Sequence, residues 1–232
     1  MLSFKNEYES CKSLVYGQLF FIVALIIGKE IFNLIGYSLQ DIGPKIFVLL
    51  ASGLYGLVLY NMIRISTEHR VIKKMVLYAI LFIFITTLIL ENPFYDLEFL
   101  KRTGLILVHI TLFILEMSVL IFFIQDLLSD KKTLQAKLWA SVATYLTIII
   151  SWGGFYDLMS LIIPGAMGLT FPLGMENYAE CIGYSLGIVS FNDGIMHPIP
   201  LITQLSKIQS IWCSMFLIFL ISQFKSKVKQ EQ

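Results

Sequence analysis

Two ionisable residues, His109 and Glu116, stand inside an apolar run over 105–124. Seven residues make two helical turns, so both side chains leave one helix face. Ionisable groups inside a membrane are costly and turn toward a bundle interior or an ion path. The pair could pass a proton or an ion. The plainer reading, favoured here, is a polar seam that packs this helix against a neighbour. Asp157, in the run 138–163, follows Gly153-Gly154 and is expected at a kink or near a membrane surface. A second set lies between 165 and 200, a stretch with no Lys or Arg: Glu176, Glu180, Ser190, Asn192 and Asp193. A ring of Asn and Asp side chains gathered around an axis favours cations without discriminating well among them.

Other chemistry is absent from the pattern. The chain has no GxSxG, no HExxH, no P-loop and no Gly-rich dinucleotide fingerprint. A pair of facing intramembrane aspartates, as in membrane proteases, is missing. His69, His109 and His197 fall in different segments and form no metal spacing. Cys11, Cys181 and Cys213 are scattered, without a CxxC, and read as small packing residues. No enzyme activity, cofactor or metal is expected.

The elements that must position these residues are membrane helices. Of the 232 residues, 57% are hydrophobic and 14% charged, whereas a soluble domain carries about 25% charged residues. The formal net charge of +1 offers no basic face for nucleic acid. A spanning helix needs about 20 mostly apolar residues. Six runs qualify: 14–27 with an extension to Tyr37, 46–63 entered after Gly43-Pro44, 75–90 closed by Asn92-Pro93, 105–124, 138–163 stopped by Pro164-Gly165, and 205–221. The first run is preceded by Lys5 and Lys12 but followed by no A-x-A-like site, so it reads as a retained span rather than a signal peptide. The fold expected is all-α, a six-span membrane protein with a re-entrant loop at 165–200. It divides into a four-helix part, 1–137, and a two-helix part, 138–232.

Lys and Arg set the orientation. Lys5, Lys12, Arg64, Arg70, Lys73, Lys74, Lys131, Lys132, Lys137, Lys225, Lys227 and Lys229 alternate to one side, against Lys29, Lys45, Lys101, Arg102 and Lys207 on the other. Both termini are therefore expected in the cytoplasm of a plasma membrane, with the acidic stretch outside. The tail 223–229 reads as a basic anchor beside anionic lipid.

Within 165–200, residues 175–188 have helical apolar spacing but are too short to span. Ser190-Phe191-Asn192-Asp193-Gly194 follows, then Ile195-Met196-His197-Pro198-Ile199-Pro200. A short helix, a polar loop with Gly and a Pro-bounded exit, leading into an inner helix, resembles the pore region of the tetrameric potassium-channel superfamily over 184–221. With Pro198 as anchor, Ser190 stands at the filter Thr, Phe191 at the Val, Asn192 at the first Gly, Asp193 at the Tyr and Gly194 at the second Gly. Ile195 replaces the family's Asp. The resemblance implies a homotetramer with Glu180, Asn192 and Asp193 at its outer mouth and a gate among Ser210, Trp212, Ser214 and Phe216. A carbonyl filter needs Gly at special backbone positions, so Asn192 and Asp193 imply a weakly selective cation pore rather than a potassium-selective one. Turn formation at Asn192-Asp193-Gly194 in an ordinary loop is the competing explanation. The run 105–124 lacks Arg or Lys at every third position, so no voltage sensor is expected.

The function expected is an ion-channel-like protein gated by lipid, membrane tension or a cytoplasmic protein partner docking on 64–74 and 125–137. The alternative is a non-conducting scaffold or sensor of a bacterial defence or stress system that acts with a soluble cytoplasmic effector. A small transporter ranks last, because no internal repeat is visible.

Overall fold

A computed structural model describes residues 2–37, 41–92, 98–129, 133–168, 173–190 and 196–230. Among them there is no strand. The helices are α1 (Leu2–Leu34), α2 (Ile42–Ser66), α3 (Arg70–Leu90), α4 (Glu98–Leu128), α5 (Leu134–Ile162), α6 (Met175–Val189) and α7 (Pro200–Gln230). All but α6 are long and apolar enough to cross a membrane. Each overruns the apolar run that announces it, because helical hydrogen bonding continues into polar flanks once a long helix has formed.

The ends follow local chemistry. Pro44 sits in the first turn of α2, where a missing N–H breaks no intrahelical bond. Thr133 caps α5 by accepting a bond from the Ala136 amide at 3.3 Å. Beyond α5 the chain turns at Gly165 and Gly168, with φ +77° and +78°. Gly168 could carry no side chain, because a Cβ there would stand 2.0 Å from the His197 carbonyl oxygen.

α5 is the central element. It packs on α1, α4, α6 and α7 and is buried along almost its whole length. One apolar core unites Leu14, Phe21 and Leu25 of α1, Leu59 and Met62 of α2, Leu115 and Phe123 of α4, Ala143 and Ile150 of α5, Ile182 of α6 and Phe216 of α7. The core is thus continuous across residue 137, and α5 joins the two parts of the chain. By contrast α3 lies at the edge, with only Val76, Thr87 and Leu90 buried.

α6 lies antiparallel along half of α5. Asn177 at its start bonds Asp157 and Ser160 near the end of α5. Near its finish Ser185 Oγ donates to the Ile149 carbonyl at 2.7 Å, halfway down α5. The chain then comes back: the Ile199 amide donates to the Ala166 carbonyl at 2.9 Å, beside the end of α5. There Pro200 opens α7, which runs down the outside of α5 and α6.

Candidate functional site

Polar side chains from four helices meet in the interior on the α6 side of α5. His109 and Glu116 do share one face of α4, and that face points inward. His109 Nδ1 stands 2.6 Å from Asp157 Oδ2. Asp157 is buried within α5 and also accepts from Asn177 of α6. Two turns along α4, Glu116 is 1% exposed. Its Oε1 accepts from the Tyr55 hydroxyl of α2 at 2.7 Å.

Tyr178 of α6 joins the two halves of this cluster. Its ring lies edge-on to His109, with centroids 5.4 Å apart. Its hydroxyl and Glu116 Oε2 approach the same backbone point, 4.0 and 3.9 Å from where a Cβ on Gly154 would stand. Ser151, one turn from Gly154, brings its Oγ to the Glu116 carboxylate without the alignment of a formed hydrogen bond. Two adjacent glycines make this possible in different ways. Gly153 lets α6 approach so closely that a Cβ would meet Ile182 Cα at 2.9 Å, whereas Gly154 leaves room for the oxygens.

The cluster is flanked at both ends. Toward the start of α6, Glu91 lies 3.6 Å from Lys101, and a Cβ on Gly174 would strike the Glu91 carboxylate at 2.2 Å. Arg102 beside it donates to the Leu161 and Ile162 carbonyls, which the end of α5 leaves open. Toward the other end Gln18 of α1 donates to Thr147 Oγ1 at 2.6 Å. Thr147 belongs to a buried stripe of hydroxyls on α5, with Ser141, Thr144 and Ser151. A third connection ties α7 in: Tyr156 Oη donates to Gln209 Oε1 at 2.7 Å, and Gln209 Nε2 donates to Ser185 Oγ at 2.7 Å.

A cavity of about 480 Å³ opens between α2, α3 and α4. Leu50, Leu57 and Leu81, all exposed, stand at its mouth, while Tyr55, His109 and Tyr178 lie among its lining. Its walls are otherwise almost wholly apolar.

The residues anticipated for a pore have mixed placements. Glu180 is half-buried on α6. Ser190 ends α6, its Oγ donating to the Leu186 carbonyl at 2.9 Å. Phe191, Asn192, Asp193 and Gly194 lie outside the described residues. The four candidates for a gate do not share a face, since positions two apart on a helix diverge by about 200°. Ser210 is half-buried and Ser214 exposed. Trp212 is partly exposed and stands edge-on to Trp152, while Phe216 is buried and stacked with Tyr145. The face of α7 that points away from the protomer carries Ile211, Ser214, Met215 and Ile218 instead.

Several members of the cluster escape a reading of the sequence. Tyr55, Tyr178 and Asn177 have no distinctive spacing, and only the fold brings them to His109 and Glu116. Gln18 did carry a signal, as an amide inside a spanning run.

No family model, curated protein or solved structure matches this chain.

Proposed function

We propose that the chain is the protomer of an ion-channel-like membrane protein, a weakly selective cation pore assembled as a homotetramer around α7 and the segment before it. In this reading α6 is a pore helix that enters the membrane from outside, the chain is back beside the end of α5 by Ile199, and both termini face the cytoplasm. The observation that carries it is the path of α6: antiparallel to α5 from Asp157 to Ile149, then back to Ala166 before α7 begins. A segment that enters half the depth of a span and leaves on the same side is tolerated where protein buries it or water lines it.

Two further observations support an assembly. The outward face of α7 is unpartnered in the protomer, with Ile208, Ile211, Met215 and Ile218 exposed. Gln209, Cys213, Phe216 and Leu220 hold the opposite face in the core. The gate is accordingly assigned to the outward face, at Ile211, Ser214, Met215 and Ile218. The apolar cavity between α2, α3 and α4 favours lipid as the gating influence, since an acyl chain in it reaches Tyr178 on the pore helix.

Flux measurements on the purified protein in liposomes test this. Cation flux is expected, with conductance or selectivity altered in Asp193→Ala and Asn192→Ala. Silence under voltage and tension, with insertion and tetramer mass verified, overturns it and leaves a scaffold acting through a soluble partner.

A further inference from the structure

Among the described residues three carboxylates are buried, and two of them have a basic side chain beside them. Glu91 lies beside Lys101 at 3.6 Å and Asp157 beside His109 at 2.6 Å. Glu116 has none among the described residues. The elements packed against it bring few charged groups to its carboxylate. α2 offers the Tyr55 hydroxyl, bonded to Oε1 at 2.7 Å. α5 offers Ser151 and, farther along, Asp157; α6 offers Tyr178, while its Cys181 faces Asp157. α4 itself offers His109, already engaged by Asp157, and Glu91 at the end of α3 adds only negative charge. α1 contributes the apolar ring of Phe21, stacked on Tyr55 at 4.6 Å.

Three buried oxygens of the cluster thus lack a formed hydrogen bond: Glu116 Oε2 and Tyr178 Oη beside Gly154, and Ser151 Oγ. Their residues are 1%, 0% and 5% exposed. A carboxylate buried in a span without a cation is costly to keep ionised. One proton on Oε2 removes that charge and supplies a donor to a neighbouring hydroxyl, which has lone pairs to accept it. A metal ion fits less well, because no three His, Cys, Asp or Glu side chains gather among the described residues.

We propose that Glu116 binds a proton, exchanged by way of the adjoining His109–Asp157 pair, so that the bundle contains a buried proton site anchored to α6. The site stands on the protomer alone and does not depend on whether the protein conducts.

Infrared spectra of the full chain in liposomes at neutral pH test it through the C=O stretch of an un-ionised carboxylic acid. The expected result is such a band in the wild type, lost in Glu116→Gln and moved to higher frequency in Tyr55→Phe. Asp157→Asn keeps the band but slows its deuterium shift by about a hundredfold, the scale of a lost proton-transfer group. A wild-type spectrum without the band, or with loss only in the carboxylate region on Glu116→Gln, overturns the site. An unchanged deuterium shift in Asp157→Asn overturns the route. If Glu116→Gln does not fold, Tyr55→Phe decides, because a band unmoved by loss of that hydroxyl does not belong to Glu116.

Discussion

α3 and α5 are both long apolar helices, yet in the fold they are opposites. α3 turns Leu77, Tyr78, Leu81, Phe82, Ile85 and Leu88 outward, whereas most of α5 between Ala136 and Leu161 is buried, with Leu138 and Val142 the large apolar exceptions. What separates them is the size and polarity of the minority residues. α3 contains no glycine and one alanine; α5 contains Ala136, Ala140, Ala143, Gly153, Gly154 and a stripe of hydroxyls. In lipid, apolar surface gains little by turning inward, so close approach and hydrogen bonds decide which helix becomes the centre. The difference teaches that the interior of this protein is marked by what is small or polar.

The largest test of that contrast is Asp157→Ala. The substitution removes the partner of His109 and the acceptor of Asn177, and so loosens α6 from α5. Breaking a buried pair typically costs about 3–5 kcal/mol. Thermal unfolding of the purified protein in detergent is expected to show a loss on that scale, with Asp157→Asn intermediate. A loss no larger than that of an α3 surface substitution would mean that packing alone holds α6.

Next in size is the glycine pair. In Gly153→Ala the new Cβ meets Ile182 Cδ1 at 2.5 Å and Cα at 2.9 Å, so the α6 backbone must move. Overpacking of this kind costs about 1–3 kcal/mol. In Gly154→Ala the nearest atom is Tyr178 Cε2 at 3.7 Å, an ordinary contact. Alanine is the better helix former by about 1 kcal/mol, so Gly154→Ala is expected to be neutral or stabilising. The same unfolding assay should give neighbouring residues opposite signs.

These contrasts also mark what the sequence could and could not disclose. The spans were legible because a run of apolar residues needs no tertiary context to be recognised, and the spacing of 175–188 foretold α6. The shared face of His109 and Glu116 was legible from helical periodicity. Their partners were not: Asp157 stands 48 residues from His109, and Tyr55 stands 61 from Glu116. Such pairings depend on which helices lie side by side, and in an all-apolar bundle hydropathy does not encode that order. The four gate candidates fall on different faces of α7 for a simpler reason, since residues chosen by type rather than by angle do not all face one axis.

A smaller effect is expected at Gln18→Leu. Its bond to Thr147 joins α1 to α5 away from the charged cluster. Hydrogen bonds between membrane helices average about 0.6 kcal/mol, so the loss should be measurable but modest. A loss of several kcal/mol would make this bond, rather than the Asp157 cluster, the principal fastening of α5.

The smallest effect is expected on α3. Ile85 is 54% exposed and directed away from the bundle, so in Ile85→Ala the removed methyl groups are replaced by lipid chains on one side and leave little cavity on the other. Surface substitutions of this sort stay within about 0.5 kcal/mol. The measurement is worth making because α3 and α7 both expose apolar faces, and only one is assigned here to contact between protomers. If Ile85→Ala weakens the proposed tetramer while Met215→Ala on α7 does not, then α3 is buried in the assembly. The contrast with α5 would then hold for the protomer alone, and the axis of any pore would have to be sought away from α7.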